Sequence, residues 1–233
     1  MKSLEKIEEN RKKGEPTLYN KKIKYFVNVA LLILFIASCK DAKDPFVIIN
    51  TKLKLDREND FKKDLPRVYN DSNVYWPFIR KRRNIIRLPD IENGSDKFQI
   101  RIWQETGKGE LVLLIIHEDN GWSAKSYIYE ATSVRGLNNL DSFIVKTISL
   151  GKPKSGWSEF LKKLIDLGIL ELRDETTIPG YYKSTDQRII SVEIAAKKYY
   201  RYYQLSDVNY FANKVEEARK MIKILELIKL EFR

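Results

Sequence analysis

The chain has 233 residues, and 43 Lys and Arg against 32 Asp and Glu give it a formal net charge of +11. A single cysteine and a single histidine exclude an intramolecular disulfide and any zinc site of the Cys/His type, and a Ser-His-Asp arrangement would have to use His117. A hydrophobic content of 43%, with 13 Tyr, 10 Phe and 4 Trp, is enough for a packed core and too high for disorder by composition.

In chain order, the first feature is a basic lead, Lys21, Lys22 and Lys24, followed by 13 mostly apolar residues from Tyr25 to Ala37 and a small-residue stop. This reads as a secretory signal. A membrane-spanning helix needs about 20 apolar residues, and a buried core helix would have to be apolar all round. An uncleaved anchor or an ordinary signal are the alternatives. Ile36-Ala37-Ser38-Cys39 resembles the bacterial lipobox, which implies that Cys39 is lipidated, with palmitate among its acyl chains, and begins the mature protein. The following Lys40-Asp41-Ala42-Lys43-Asp44 resembles the charged tails of surface-displayed lipoproteins of the Bacteroidota type. Lys40 stands where an aspartate would resemble an inner-membrane retention signal, so the outer membrane or cell surface is the expected destination. The expected organisation is a signal peptide over 1–38, a charged tether over 39–45 and one domain over 46–233.

Eight basic and four acidic side chains in residues 1–38 leave +7 on residues 39–233. In an exported protein, that excess points to anionic lipid head groups or phosphorylated glycolipid, and nucleic acid is not expected as a partner.

Phe46-Val47-Ile48-Ile49-Asn50 reads as a short strand, and residues 56–75 read mostly as loop, so that 46–97 is expected to be partly loop. Trp76-Pro77-Phe78-Ile79 is expected to pack on the domain. Arg80-Lys81-Arg82-Arg83 is a basic run, a candidate contact for anionic lipid or else a solvated loop. Phe98-Gln99-Ile100-Arg101-Ile102-Trp103 alternates with period two, as a half-buried strand does. Leu111 to Ile116 is a continuous apolar run and residues 122–130 alternate again, with Asn120-Gly121, a strong hairpin signal, between them. A further strand over 142–150 completes an antiparallel meander of about four strands. Pro153 and Ser155 introduce a helix that carries Trp157, Phe160, Leu161, Leu164 and Ile165 on one face, with Gly168 at the C′ position. A short strand over 169–172, a loop over 176–186, and strands over 188–195 and 198–204 follow. An amphipathic helix closes the chain, with Met221, Leu225, Ile228 and Phe232 lining its buried side and Lys214, Glu217, Lys220 and Lys223 turned away.

The fold class expected from these elements is α+β. An antiparallel sheet, the meander plus two or three more strands, packs one face against two helices.

Three candidate sites stand beside Cys39. Tyr199, Arg201 and Tyr203 share one strand face, able to stack a sugar or ring and grip an acidic group, or simply to lie half-buried under the last helix. Glu193 and Arg201 are available as a cross-strand pair. Arg80, Lys81, Arg82 and Arg83 form the basic run. His117 ends a strand with no partner at a recognisable spacing for a general base. No cofactor and no metal is implied.

The order of features from Phe98 onward resembles a group of uncharacterised lipoproteins of the Bacteroidota type. The residues that carry it are Ile100-Arg101-Ile102-Trp103, Asp119-Asn120-Gly121-Trp122-Ser123-Ala124-Lys125, Gly156-Trp157, Val192-Glu193-Ile194, Tyr200-Arg201-Tyr202-Tyr203 and Glu231-Phe232. The resemblance implies an envelope location and brings no activity with it. The reading that follows is a lipid-anchored envelope protein with a binding or structural role, its partners a membrane through the N-terminal lipid and an envelope protein, glycan or anionic lipid. The alternatives are an envelope enzyme acting on glycans or lipids, and a cytosolic basic protein that binds nucleic acid.

Overall fold

The structure, a computed structural model, describes residues 45–54, 62–65, 75–106, 109–119, 121–132, 142–181 and 188–233. The signal, Cys39 and most of the tether lie outside them. Among the described residues no helix is long and apolar enough to cross a membrane.

The fold is α+β, built on a seven-stranded sheet. Its strands are β1 (Lys62–Asp64), β2 (Ser95–Thr106), β3 (Gly109–Glu118), β4 (Gly121–Thr132), β5 (Ser142–Leu150), β6 (Ile189–Lys197) and β7 (Tyr199–Ser206), in the order β1-β7-β6-β2-β3-β4-β5. All neighbours are antiparallel except β1 and β7, where Lys62 stands beside Tyr199. The expected meander is β2 to β5. In the β3–β4 hairpin Glu118 pairs with Gly121, so Gly121 opens the next strand. Lys197 and Lys198 make the β6–β7 turn. That turn comes so close to Gly94 that a Cβ there would lie 1.7 Å from the Lys197 carbonyl oxygen, and Gly94 also has φ +91°. Only glycine fits both demands.

The helices are α1 (Pro45–Leu53), α2 (Tyr75–Ile85), α3 (Trp157–Asp166), α4 (Val208–Phe211) and α5 (Glu216–Glu231). Two of them replace expected elements. Phe46 to Asn50, read as a strand from its β-branched residues, lies in α1. Pro45 opens that helix, and the buried residues Pro45, Ile49 and Leu53 recur every four positions, a helical period rather than the alternation of a strand. The basic run Arg80 to Arg83 lies in α2 rather than in a loop. Arg87 ends α2 in the left-handed conformation at φ 56°, with the Leu88 N–H on the Arg83 carbonyl at 2.9 Å. This Schellman-type reversal turns the chain back along its own helix.

Gly168, at φ +87°, makes the same reversal after α3, with Ile169 N–H donating to Leu164 O at 3.3 Å and Gly168 N–H to Ile165 O at 2.8 Å. The chain then keeps turning. Glu171 and Leu172 both donate to the Gly168 carbonyl, at 2.8 and 3.0 Å. The short strand expected over 169–172 is therefore a run of turns.

Helices lie against both faces of the sheet, not one. A first cluster joins Ile100, Ile102, Leu113, Ile115, Val192 and Ile194 to residues of α1, α3, α4 and α5. A second joins Trp103, Val112, Leu114, Tyr200 and Tyr202 to Ile79 of α2 and to Ile86, Leu88 and Ile91 behind it. The alternation of β2 thus marks two buried faces.

In α5 the fully buried residues are Ala218, Met221 and Ile224. Leu225, Ile228 and Phe232, expected at the centre of the buried side, are half-buried at its margin. Glu217, expected outward, is drawn in by the Arg173 Nε, which donates to its carboxylate at 2.5 Å. At the other end Glu231 accepts from the Ser155 N–H and hydroxyl, both at 2.8 Å, and the Lys154 N–H donates to its carbonyl at 3.1 Å. These two fasteners set how far the helix is rolled.

That roll orders three substitutions. Ile224→Ala removes fully buried methyl and methylene groups and should cost about 2–5 kcal/mol. Leu225→Ala should cost distinctly less, and the exposed Lys223→Ala next to nothing. Denaturant midpoints of the three variants check the order. Equal losses for Ile224→Ala and Leu225→Ala would mean that the helix is rolled as its sequence suggests.

Candidate functional site

The Tyr–Arg–Tyr face of β7 is not open to a ligand. Tyr203 is buried and its hydroxyl donates to the Ile169 carbonyl at 2.8 Å. Arg201 donates to the Leu170 carbonyl and, at 2.8 Å, to the Leu172 carbonyl, and its Nε lies 3.0 Å from Asp64. Tyr199 is 6% exposed. The reason lies in the turns over 169–172, whose carbonyls have no ladder to join and must find donors elsewhere. Arg201 and Tyr203 supply them. Glu193 cannot pair with Arg201, because Arg201 stands opposite Ile194 in the register and Glu193 opposite Tyr202, on the other face.

The free edge of β7 beyond Arg201 is closed by two acids. Asp174 accepts from the Gln204 N–H at 2.9 Å, and Glu175 from the Ser206 N–H at 2.6 Å and the Gln204 side chain at 2.8 Å. Burial pushes the Glu175 carboxyl up, against the pull of these donors. Capping an edge strand in this way removes a template for further pairing.

On the opposite face, Glu193 is fully buried at the centre of a polar cluster. Trp103 Nε1 donates to it at 2.8 Å and the Tyr200 hydroxyl at 2.9 Å. Arg101 and Arg83 each bring a guanidinium nitrogen to 3.9 Å. Those two nitrogens, Arg101 Nη1 and Arg83 Nε, have no hydrogen-bond partner among the described residues. Burial pushes the Glu193 carboxyl up and the Arg101 guanidinium down, while their mutual attraction opposes both shifts. The outer shell comes from the basic run. Arg80 clasps Glu92 through two bonds, at 2.7 and 2.6 Å, and Arg83 binds Glu92 and, at 2.6 Å, Asp90. Half of the run expected at a lipid surface therefore faces inward or sideways to acids seven to twelve residues on. Lys81 is exposed and Arg82 partly so. His117 is half-buried, its ring stacked on Phe46 at 4.6 Å and tilted against Trp122 at 4.7 Å.

The first face carries a concave feature shaped to receive something. Between α5 and strands β2 to β5 runs a groove of about 480 Å³. Ile102 and Leu113 form its floor, with Leu111 and Leu150 along the sheet side and Ile222, Leu225, Ile228 and Phe232 along the helix. Gln104, Ser126 and Asn209 are its neutral polar groups, while Glu226, Lys229 and Arg233 stand at its rim. Its volume lies within the range of small-molecule sites, about 300–1,000 Å³. The half-exposure of Leu225, Ile228 and Phe232, which a tightly docked helix would not tolerate, is what the groove consists of. No group of three His, Cys, Asp or Glu arranged to hold a metal occurs among the described residues.

The sequence had no signal for the groove, since its walls lie about a hundred residues apart. Glu193 did carry one: it interrupts the apolar run Ile189-Ile190-Ser191-Val192-Glu193-Ile194 at a position that must be buried if both faces are.

The outer ion pairs fix a pH dependence. For Glu92, burial raises the carboxyl, but hydrogen bonds from Arg80 and Arg83 outweigh it and hold it below the ordinary 4.5. Asp90 is likewise held below 3.8, backbone and Arg83 donors outweighing burial. Such groups stabilise the fold at neutral pH, and their contribution is lost as pH falls through the ordinary values and below. Urea unfolding across that acid range should show a falling stability whose slope is reduced in Glu92→Gln. An unchanged slope would remove Glu92 from the account.

Comparison with known proteins adds no relative: no family model, no curated protein and no solved structure matches this chain.

Proposed function

We propose that this chain is a lipid-anchored envelope protein, held at the outer membrane or cell surface through Cys39, whose task is to bind an apolar ligand in the groove beneath α5. The observation that carries the binding role is the groove itself. It holds half-exposed aliphatic side chains in a concave site of small-molecule volume, and a water-filled apolar surface of that kind gains free energy when it is covered. The anchoring role rests on the sequence from Lys21 to Cys39. The other candidate sites support the reading by elimination. The β7 tyrosines and Arg201 serve the backbone of 169–172, and Arg80 and Arg83 serve Glu92 and Asp90. The groove lining offers hydroxyl and amide groups with one carboxylate and two cations at the rim, a set suited to orienting a ligand.

Two measurements test the two halves. Metabolic labelling with a fatty-acid probe should mark the protein and not Cys39→Ser; equal label in both removes the anchor. Nile red, an uncharged apolar dye, should brighten on titration with the protein and far less with Leu111→Trp, which fills the groove from the sheet side. Undiminished brightening by the variant would place the apolar site elsewhere.

A further inference from the structure

We infer that the groove takes a single long hydrocarbon chain ending in a carboxylate, a free long-chain fatty acid, with its head group at Lys229 and Arg233. This rests on the binding role proposed above and names the ligand.

The walls decide the class. One wall is the side of α5 and the other is the face of a continuous sheet. The backbone groups of α5 are bonded within the helix and those of β2 to β4 within the sheet, so along these walls the groove offers no row of free N–H and C=O groups. An extended peptide laid there would bury its own backbone donors and acceptors unmatched, at a cost per group comparable to a lost hydrogen bond. A hydrocarbon chain has none to satisfy. The lining is also aliphatic, with Phe232 as its aromatic ring. A flat aromatic ligand would find little to stack on, whereas a flexible chain conforms to Leu and Ile side chains. The volume of about 480 Å³ falls in the lower half of the small-molecule range and suits one chain rather than the two of a membrane lipid.

The rim decides the head group. Lys229 lies in the last turn of α5 and Arg233 two residues beyond its end, both exposed, and neither enters an ion pair among the described residues. Glu226 is the acidic side chain beside them, so the rim sets two cationic side chains against one acidic one. A carboxylate reaching the rim meets two cations, and the polar head stays in water while the tail is buried.

The test uses the full chain and a fluorescent polyunsaturated fatty acid, displaced by unlabelled palmitic acid, by hexadecanol of the same chain length, or by vesicles of anionic diacyl lipid. The acid should bind saturably and be displaced by palmitic acid. Leu111→Trp and Leu225→Trp, approaching from opposite walls, should each abolish binding, and the one that keeps the native thermal midpoint is the one read. Lys229→Gln combined with Arg233→Gln should weaken the acid by up to about fivefold and leave the alcohol unchanged, the size expected of exposed charge pairs. Acid and alcohol binding alike, with no effect of the rim variant, overturns the head-group assignment. Displacement by vesicles but not by palmitic acid means a membrane surface instead. Nile red binding in the groove without any fatty acid binding overturns this ligand and leaves the binding role standing; loss of both removes the two together.

Discussion

Glu193 has no contact with solvent, so its charge has to be answered from inside the fold, and much of the second face is arranged around that demand. A lone carboxylate in such a place would be costly by several kcal/mol. Here the indole of Trp103, the hydroxyl of Tyr200 and two guanidinium groups converge on it from β2, β7 and α2. Those four groups come from three different stretches of chain, Trp103 and Arg101 sharing β2. The cluster can therefore form only when the sheet is in register and α2 is in place. Arg83 carries the demand outward, since a buried guanidinium needs acceptors of its own, and Asp90 and Glu92 supply them. The reversal at Arg87 is what returns the chain to put those acids within reach.

The two faces consequently differ in kind. The second is closed by directional bonds that tolerate little displacement. The first is closed by apolar packing, which is non-directional and tolerates repacking. A groove opens more readily in a surface closed by apolar packing, and this one lies on that first face.

The parts of the fold that were legible in the sequence were those whose environment is uniform along the element. The meander from β2 to β5 showed as alternation and apolar runs, and α3 as a stripe from Trp157 to Ile165 ended by Gly168. Misreadings arose where tertiary context overrode local chemistry. Val47, Ile48 and Ile49 are good strand formers, yet Ile49 and Leu53 share a helical face against the core. Ile169 to Leu172 is apolar and β-prone, but Gly168 commits the chain to turning. In α2 the charged residues Arg80 to Arg83 hid the helical period, because their partners lie beyond the next reversal. The Tyr–Arg–Tyr face was legible as one side of a strand, but what covers it was not, since nothing local tells that three stray carbonyls will come to rest on it. The groove was illegible for a further reason: a cavity belongs to no element and depends on how far α5 is rolled.

The fasteners of α5 have a mechanical consequence. The helix is pinned near its start by Glu217 on Arg173 and at its end by Glu231 on Ser155 and Lys154. A rod held at both supports yields least at those supports and most at mid-span. Mid-span here is the turn containing Ile224 and Leu225, directly over the groove. The groove runs on from there to Phe232, beside the second support, so one end of its helical wall is held in place by Glu231 on Ser155 and Lys154.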